Sequence, residues 1–142
     1  MKTCHQKLLM RQKFYMTNFE DNLRKIFHLR EDFMKLINQK FENTYHQWPL
    51  DITQKKSQKI LRQTALNGVE EMFEALGHLK NWKSHRVSEV NNIDQEEFLE
   101  EIIDAFNYFF SLLILCGVDQ ESFMKAFYKK DEVIKQRLKN DY

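Results

Sequence analysis

The chain has 142 residues, with 22 Lys and Arg against 21 Asp and Glu and a formal net charge of +1. That length gives one domain with a real core, while near-neutrality supplies no field for gripping a nucleic-acid polymer, whose binding rests on neutralising many phosphates. Three Gly and one Pro argue against a β-sandwich and for long helices, and Cys4 and Cys116 are too few for a disulfide scaffold and read as free thiols in a reducing compartment.

The opening MKTCHQKLLMRQ lacks the continuous apolar stretch of a signal peptide. The first strong helix is expected to begin near Thr17, where Thr17-x-x-Glu20 has capping-box form, with residues 1–16 forming a short helix or an arm. Phe19, Leu23, Ile26, Phe33, Ile37 and Phe41 recur at helical spacing. The helix must end before Pro49, because the residue ahead of a proline avoids the helical region. A second helix is expected over 52–78, with Leu61, Ala65, Val69, Met72, Leu76 and Leu79 as its apolar stripe. Glu71 flanks that stripe, and Glu74 lies further round. Residues 80–93 are polar and read as a loop holding Trp82, Lys83 and Arg86. Trp82 either plugs the end of a helical bundle or offers an aromatic face to a nucleobase, with cations beside its phosphates.

The third helix opens at Asp94, with Glu97 completing its cap, and closes at Gly117. It is apolar nearly all round and belongs at the centre of a bundle or at a subunit interface. One seam stays polar: Glu97, Glu101, Asp104, Asn107 and Ser111 fall within about 120° of arc. Such a seam on a buried helix is costly unless it lines a site. The segment 102–118 is too short and too polar to span a membrane, so a cytoplasmic protein is expected. The fourth helix runs from Asp119 towards Leu138, with Phe123, Phe127, Ile134 and Leu138 facing inward and Lys130 and Arg137 along the same stripe, as for a clefted anion.

Two acidic pairs share one spacing. Glu71 and Glu74, and Glu101 and Asp104, each stand three apart, so each pair projects from one helical face. Two such helices packed together would converge four carboxylates, a donor set for a hard cation, Mg²⁺ or Mn²⁺. A di-iron bundle would need Glu-x-x-His motifs; Glu74 with His78 and Glu42 with His46 are each one residue too long. Zinc, Ser/His/Asp, P-loop and glycine-rich nucleotide motifs are missing from the sequence.

The order E-x-x-E, Trp-Lys, E-x-x-D and a Lys, Arg and Tyr tail resembles the all-α nucleoside triphosphate pyrophosphatases. It is nearest the dimeric dUTPase branch, with its phage dUTPase/dCTPase enzymes, and more distantly like MazG-type enzymes. The likeness covers about residues 34–142 and is most specific in EEIIDAFNYFFSLLILCGVDQESFMKAFYKKDEVIKQRLKNDY. The resemblance implies a single all-α domain, a four-to-five-helix bundle completed by homodimerisation. It implies Mg²⁺-dependent hydrolysis of a deoxynucleoside triphosphate, dUTP or dCTP, to the monophosphate and pyrophosphate. Glu71, Glu74, Glu101 and Asp104 would hold the metal, and Glu71 would also orient or deprotonate the attacking water. Lys83, Lys130, Arg137 and Tyr142 match positions that hold phosphates or close the tail over the site, and Gln39 matches a uracil-reading Gln. The sequence departs from the pattern at Asn107 (where His is usual), at Asp131, Ile134 and Glu42 (each for Asn), and at Asp141 ahead of Tyr142. Those departures spare metal chemistry and fall on base and sugar recognition. A broader house-cleaning pyrophosphatase, or a catalytically silent helical binding module on the same fold, are the alternatives.

Overall fold

The computed structural model describes the backbone of residues 4–42, 44–45 and 47–139, and side chains from residue 22 onward within them. Four helices follow one another: α1 Cys4–Lys40, α2 Lys55–Gly77, α3 Gln95–Leu115 and α4 Gln120–Lys139. No strand occurs among the described residues, so the fold is all-α, as the scarcity of glycine and proline requires. No single described helix is long and apolar enough to cross a membrane.

α1 is one helix of 37 residues, so residues 4–16 continue it and form neither a separate arm nor a separate short helix. Thr17 lies in its interior. No glycine or proline interrupts 4–40, and a capping-box pattern has no free amides to satisfy where the helix before it is unbroken. Beyond Lys40, the Asn38 side-chain carbonyl accepts from the Tyr45 amide at 2.7 Å. The returning segment is tied to α3 where the Leu50 amide donates to the Leu115 carbonyl at 2.7 Å. α2 starts at Lys55, later than expected, because Asp51 draws the chain into a turn. Its carboxylate accepts from the Thr53 amide at 3.0 Å and the Thr53 hydroxyl at 2.7 Å, bonds that hold its pKa below the usual range.

α2 and α3 form the closest pair. The stripe that α2 buries is not the one its large apolar residues suggest: Ser57, Thr64, Gly68 and Ala75 are buried, whereas Val69 and Leu76 are exposed. Backbones approach most closely over small side chains. A Cβ added at Gly68 would stand 3.0 Å from Phe109 Cε1 and 3.2 Å from the carbonyl oxygen of Ala105, itself fully buried on α3. Glu71 lies three residues beyond Gly68 and four before Ala75, so this small-residue face carries it against α3.

α3 is capped at both ends as expected. The Asp94 carboxylate accepts from the amides of Glu96 and Glu97 at 3.0 and 3.1 Å. At the other end, the Gly117 amide donates to Ile114 and the Val118 amide to Leu113, both at 2.9 Å. This pair of bonds is a Schellman turn, and it places Gly117 at φ 74°. The chain then turns by 106° into α4, whose first turn is capped by Asp119 accepting from the Ser122 amide at 2.8 Å.

The core sits where α1, α3 and the start of α4 meet. Leu23, Phe27, Met34, Ile114 and Leu115 are buried, with Phe110, Phe123 and Met124 against them. Phe27 meets Phe110 edge-on, ring centroids 5.3 Å apart. Of the stripe expected to face inward on α4, Phe123 does so, whereas Phe127, Ile134 and Leu138 are exposed. Further along α4, Tyr128, Lys129 and Glu132 line a hollow together with Leu23 and Arg24 of α1.

Candidate metal centre and its cavity

Three of the four expected carboxylates converge. Glu71 on α2 and Glu101 and Asp104 on α3 each place a carboxylate oxygen within 4.8 Å of the others, Glu71 and Glu101 half-buried and Asp104 exposed. Glu74 is exposed and stands outside this group. It lies one position short of the buried Ala75 and so turns off the α3-facing stripe, yet it still acts on Glu71. Burial, and then the charges of Glu74, Asp104 and Glu101, raise the Glu71 pKa above the ordinary carboxylate range.

The donor set fits a hard cation. All three groups are carboxylates, with no nitrogen or sulfur donor among them. Oxygens held octahedrally at about 2.1 Å from Mg²⁺ stand about 3.0 Å apart when adjacent and about 4.2 Å apart when opposite, so three oxygens within 4.8 Å of one another would draw together by up to about 2 Å, within reach of side-chain rotation. The cluster also carries uncompensated like charge, which a divalent ion would neutralise.

Glu71 and Asp104 lie in the wall of a groove of about 1010 Å³ between α1 and α3, otherwise lined largely by apolar side chains including Ile26, Phe33, Phe106 and Phe110. Asn107 and Tyr108 line it too. The Asn107 amide donates to Asp104 Oδ1 at 3.4 Å, a long bond that steadies this carboxylate. Facing them from α1 is Arg30. Its Nε donates to Ser111 Oγ at 2.6 Å and its Nη2 to the Tyr45 hydroxyl at 2.9 Å, and the guanidinium lies over the Phe33 ring, 4.6 Å from its centroid. Ser111 is fully buried and its hydroxyl donates a hydrogen bond to the Asn107 carbonyl at 3.0 Å, leaving its oxygen lone pairs free to accept from Arg30. Desolvation lowers the Arg30 pKa, opposed chiefly by Tyr45, Tyr108 and Asp104.

The remaining expected residues are placed elsewhere. Gln39 is exposed in the last turn of α1 and does not line this groove. Trp82 and Lys83 line a separate hollow of about 440 Å³ with Lys80 and Arg86, where the Lys83 ammonium stands 5.1 Å from the Trp82 ring centroid. Trp82 is 73% exposed, so it does not plug the bundle. On α4, Lys130 and Arg137 are exposed, and Asp131 pairs with Lys135 at 2.6 Å. None of the three lines the groove. Tyr142 lies outside the described residues.

Arg30, Tyr45 and Ser111 were not read as site residues from the sequence, although Ser111 belongs to the polar seam. The signal for Arg30 was available: it interrupts the helical-spaced stripe Leu23, Ile26, Phe33 and Ile37 with a charge. No family model, curated protein or solved structure matches this chain.

Proposed function

We propose that the protein is a Mg²⁺-dependent hydrolase that splits a deoxynucleoside triphosphate into its monophosphate and pyrophosphate. The observation that carries this reading is the convergence of Glu71, Glu101 and Asp104, two of which, Glu71 and Asp104, line a groove large enough for a nucleotide. The motif order that resembles the dimeric dUTPases points to dUTP or dCTP and to a homodimer. Phosphoryl transfer asks mainly for positioning and charge neutralisation, which this groove with a divalent ion on its carboxylates would supply.

A bound Mg²⁺ would neutralise phosphate charge and make a coordinated water easier to deprotonate. Glu71, Glu101 and Asp104 would hold it. Glu71, at the position that the resemblance places beside the attacking water, would orient that water or take its proton. The Asn107 amide keeps Asp104 directed at the cluster, and the apolar walls at Phe33, Phe106 and Phe110 limit water around the reacting phosphate.

Pyrophosphate release from a panel of nucleoside triphosphates, read as phosphate after inorganic pyrophosphatase, tests the proposal. Turnover with Mg²⁺ is expected for at least one pyrimidine substrate, a broad panel response marking the house-cleaning alternative. Glu71→Gln and Asp104→Asn are each expected to lower kcat by roughly 100-fold or more with the helical circular-dichroism spectrum unchanged. Wild-type turnover in either variant removes the assignment. The departures from the family pattern at Asn107 and Asp131 favour a second reading, a silent helical binding module. An enzyme is stabilised thermally by Mg²⁺ with a non-hydrolysable dUTP analogue; a silent module is not.

A further inference from the structure

We infer that Arg30 is the phosphate-binding residue of the groove, holding an anionic group of the ligand against the cation site; this rests on the hydrolase reading above. Arg30 stands half-buried on the wall that faces Glu71 and Asp104. Its two hydrogen-bond partners, the hydroxyls of Ser111 and Tyr45, are neutral, and among the described residues no carboxylate forms an ion pair with it. Two of its five N–H donors are therefore used to fix the side chain, while the remaining donors stay available and no direct ion pair occupies the charge.

The bracing is what separates a binding residue from a tie between helices. Ser111 is committed by its own bond to the Asn107 carbonyl. The Tyr45 backbone is anchored by Asn38, and the Phe33 ring lies against the guanidinium. A group held in this way loses little freedom when it binds a phosphate, and its planar fork matches two phosphate oxygens. A tie alone would be served by a neutral donor, which carries no desolvation cost for a charge. With a divalent ion on the carboxylates, a phosphate in the groove would lie between two cationic centres. Lys130 and Arg137 are exposed and do not line this groove.

Isothermal titration of the full chain with Mg²⁺ alone, and with inorganic tripolyphosphate in the presence of Mg²⁺, tests the assignment. Arg30→Gln is expected to bind Mg²⁺ as the wild type does and to bind tripolyphosphate roughly 10- to 100-fold more weakly. For any triphosphate the wild type turns over, KM should rise by a similar factor and kcat should change less. Arg30→Lys should fall between the two. Ser111→Ala and Tyr45→Phe, which keep the charge and remove a brace, should each weaken tripolyphosphate binding a few-fold, and they carry the test if Arg30→Gln does not fold. Unchanged tripolyphosphate binding in Arg30→Gln, or in both brace variants should Arg30→Gln not fold, overturns the inference and leaves the hydrolase reading standing. Tripolyphosphate binding that depends on Arg30 in a protein without Mg²⁺ affinity or turnover keeps the anion site and removes the hydrolase. A wild type that binds neither probe overturns both.

Discussion

At the scale of the residue, Glu71 stands under the most opposing influences. Its carboxyl holds a proton more tightly in the folded protein than in the unfolded chain, because burial and then the charges of Glu74, Asp104 and Glu101 disfavour the anion. Such a group favours folding at acid pH and loses that contribution as pH rises through its folded-state pKa. Glu71→Gln is therefore expected to raise the melting temperature at neutral pH without divalent ions, to flatten the pH dependence across the carboxylate range, and to gain less as salt screens the cluster. A melting temperature below wild type in low salt at neutral pH would contradict this. Much of the cluster was legible in advance, since Glu101 and Asp104 are polar positions on an apolar helix. Glu74 was legible as a pair with Glu71, but the three-residue step that unites them on one face does not decide which of the two meets α3. Gly68 and Ala75 decide it, since the buried face of α2 runs over its smallest side chains.

At the scale of the element, the ends of α3 were readable and its surroundings were not. Asp94 and Gly117 act locally, through bonds to amides two or three residues away and through a φ of 74°. Local chemistry survives in sequence. The buried face of α2 depends on which partner approaches, and large apolar residues such as Val69 and Leu76 misled the eye. Gly117 combines two constraints: its positive φ disfavours a side chain, and an added Cβ would stand 2.8 Å from Pro49 Cβ. Gly117→Ala is expected to destabilise the fold by about 1–3 kcal/mol, measured as a lower urea midpoint at unchanged m-value. An unaltered midpoint would show that the corner relaxes freely.

At the scale of the whole molecule, much apolar surface remains in contact with water. On α2, Leu66, Val69, Phe73 and Leu76 are exposed, at successive spacings of three, four and three that align them in one stripe. Contiguous exposed apolar surface of this kind marks an interaction site. The proposed homodimer is thus expected to use α2, and sedimentation should report a mass of twice 17.4 kDa. Phe73→Lys should shift the protein towards monomer while the circular-dichroism spectrum is kept. A wild-type monomer at micromolar concentration would remove the homodimer. All-helical architecture followed from composition alone, whereas the tertiary angle at 116–119 did not. No pattern in the sequence announces how sharply α4 turns from α3.

The corner at Gly117 has a consequence for how the protein breathes. The short stretch before α2 is tied to it twice: the Leu50 amide holds the Leu115 carbonyl, and Pro49 lies close against Gly117. Opening of that stretch would loosen the end of α3 and the start of α4 together, whereas an exposed pair such as Asp131 with Lys135, of small worth, can part without disturbing either.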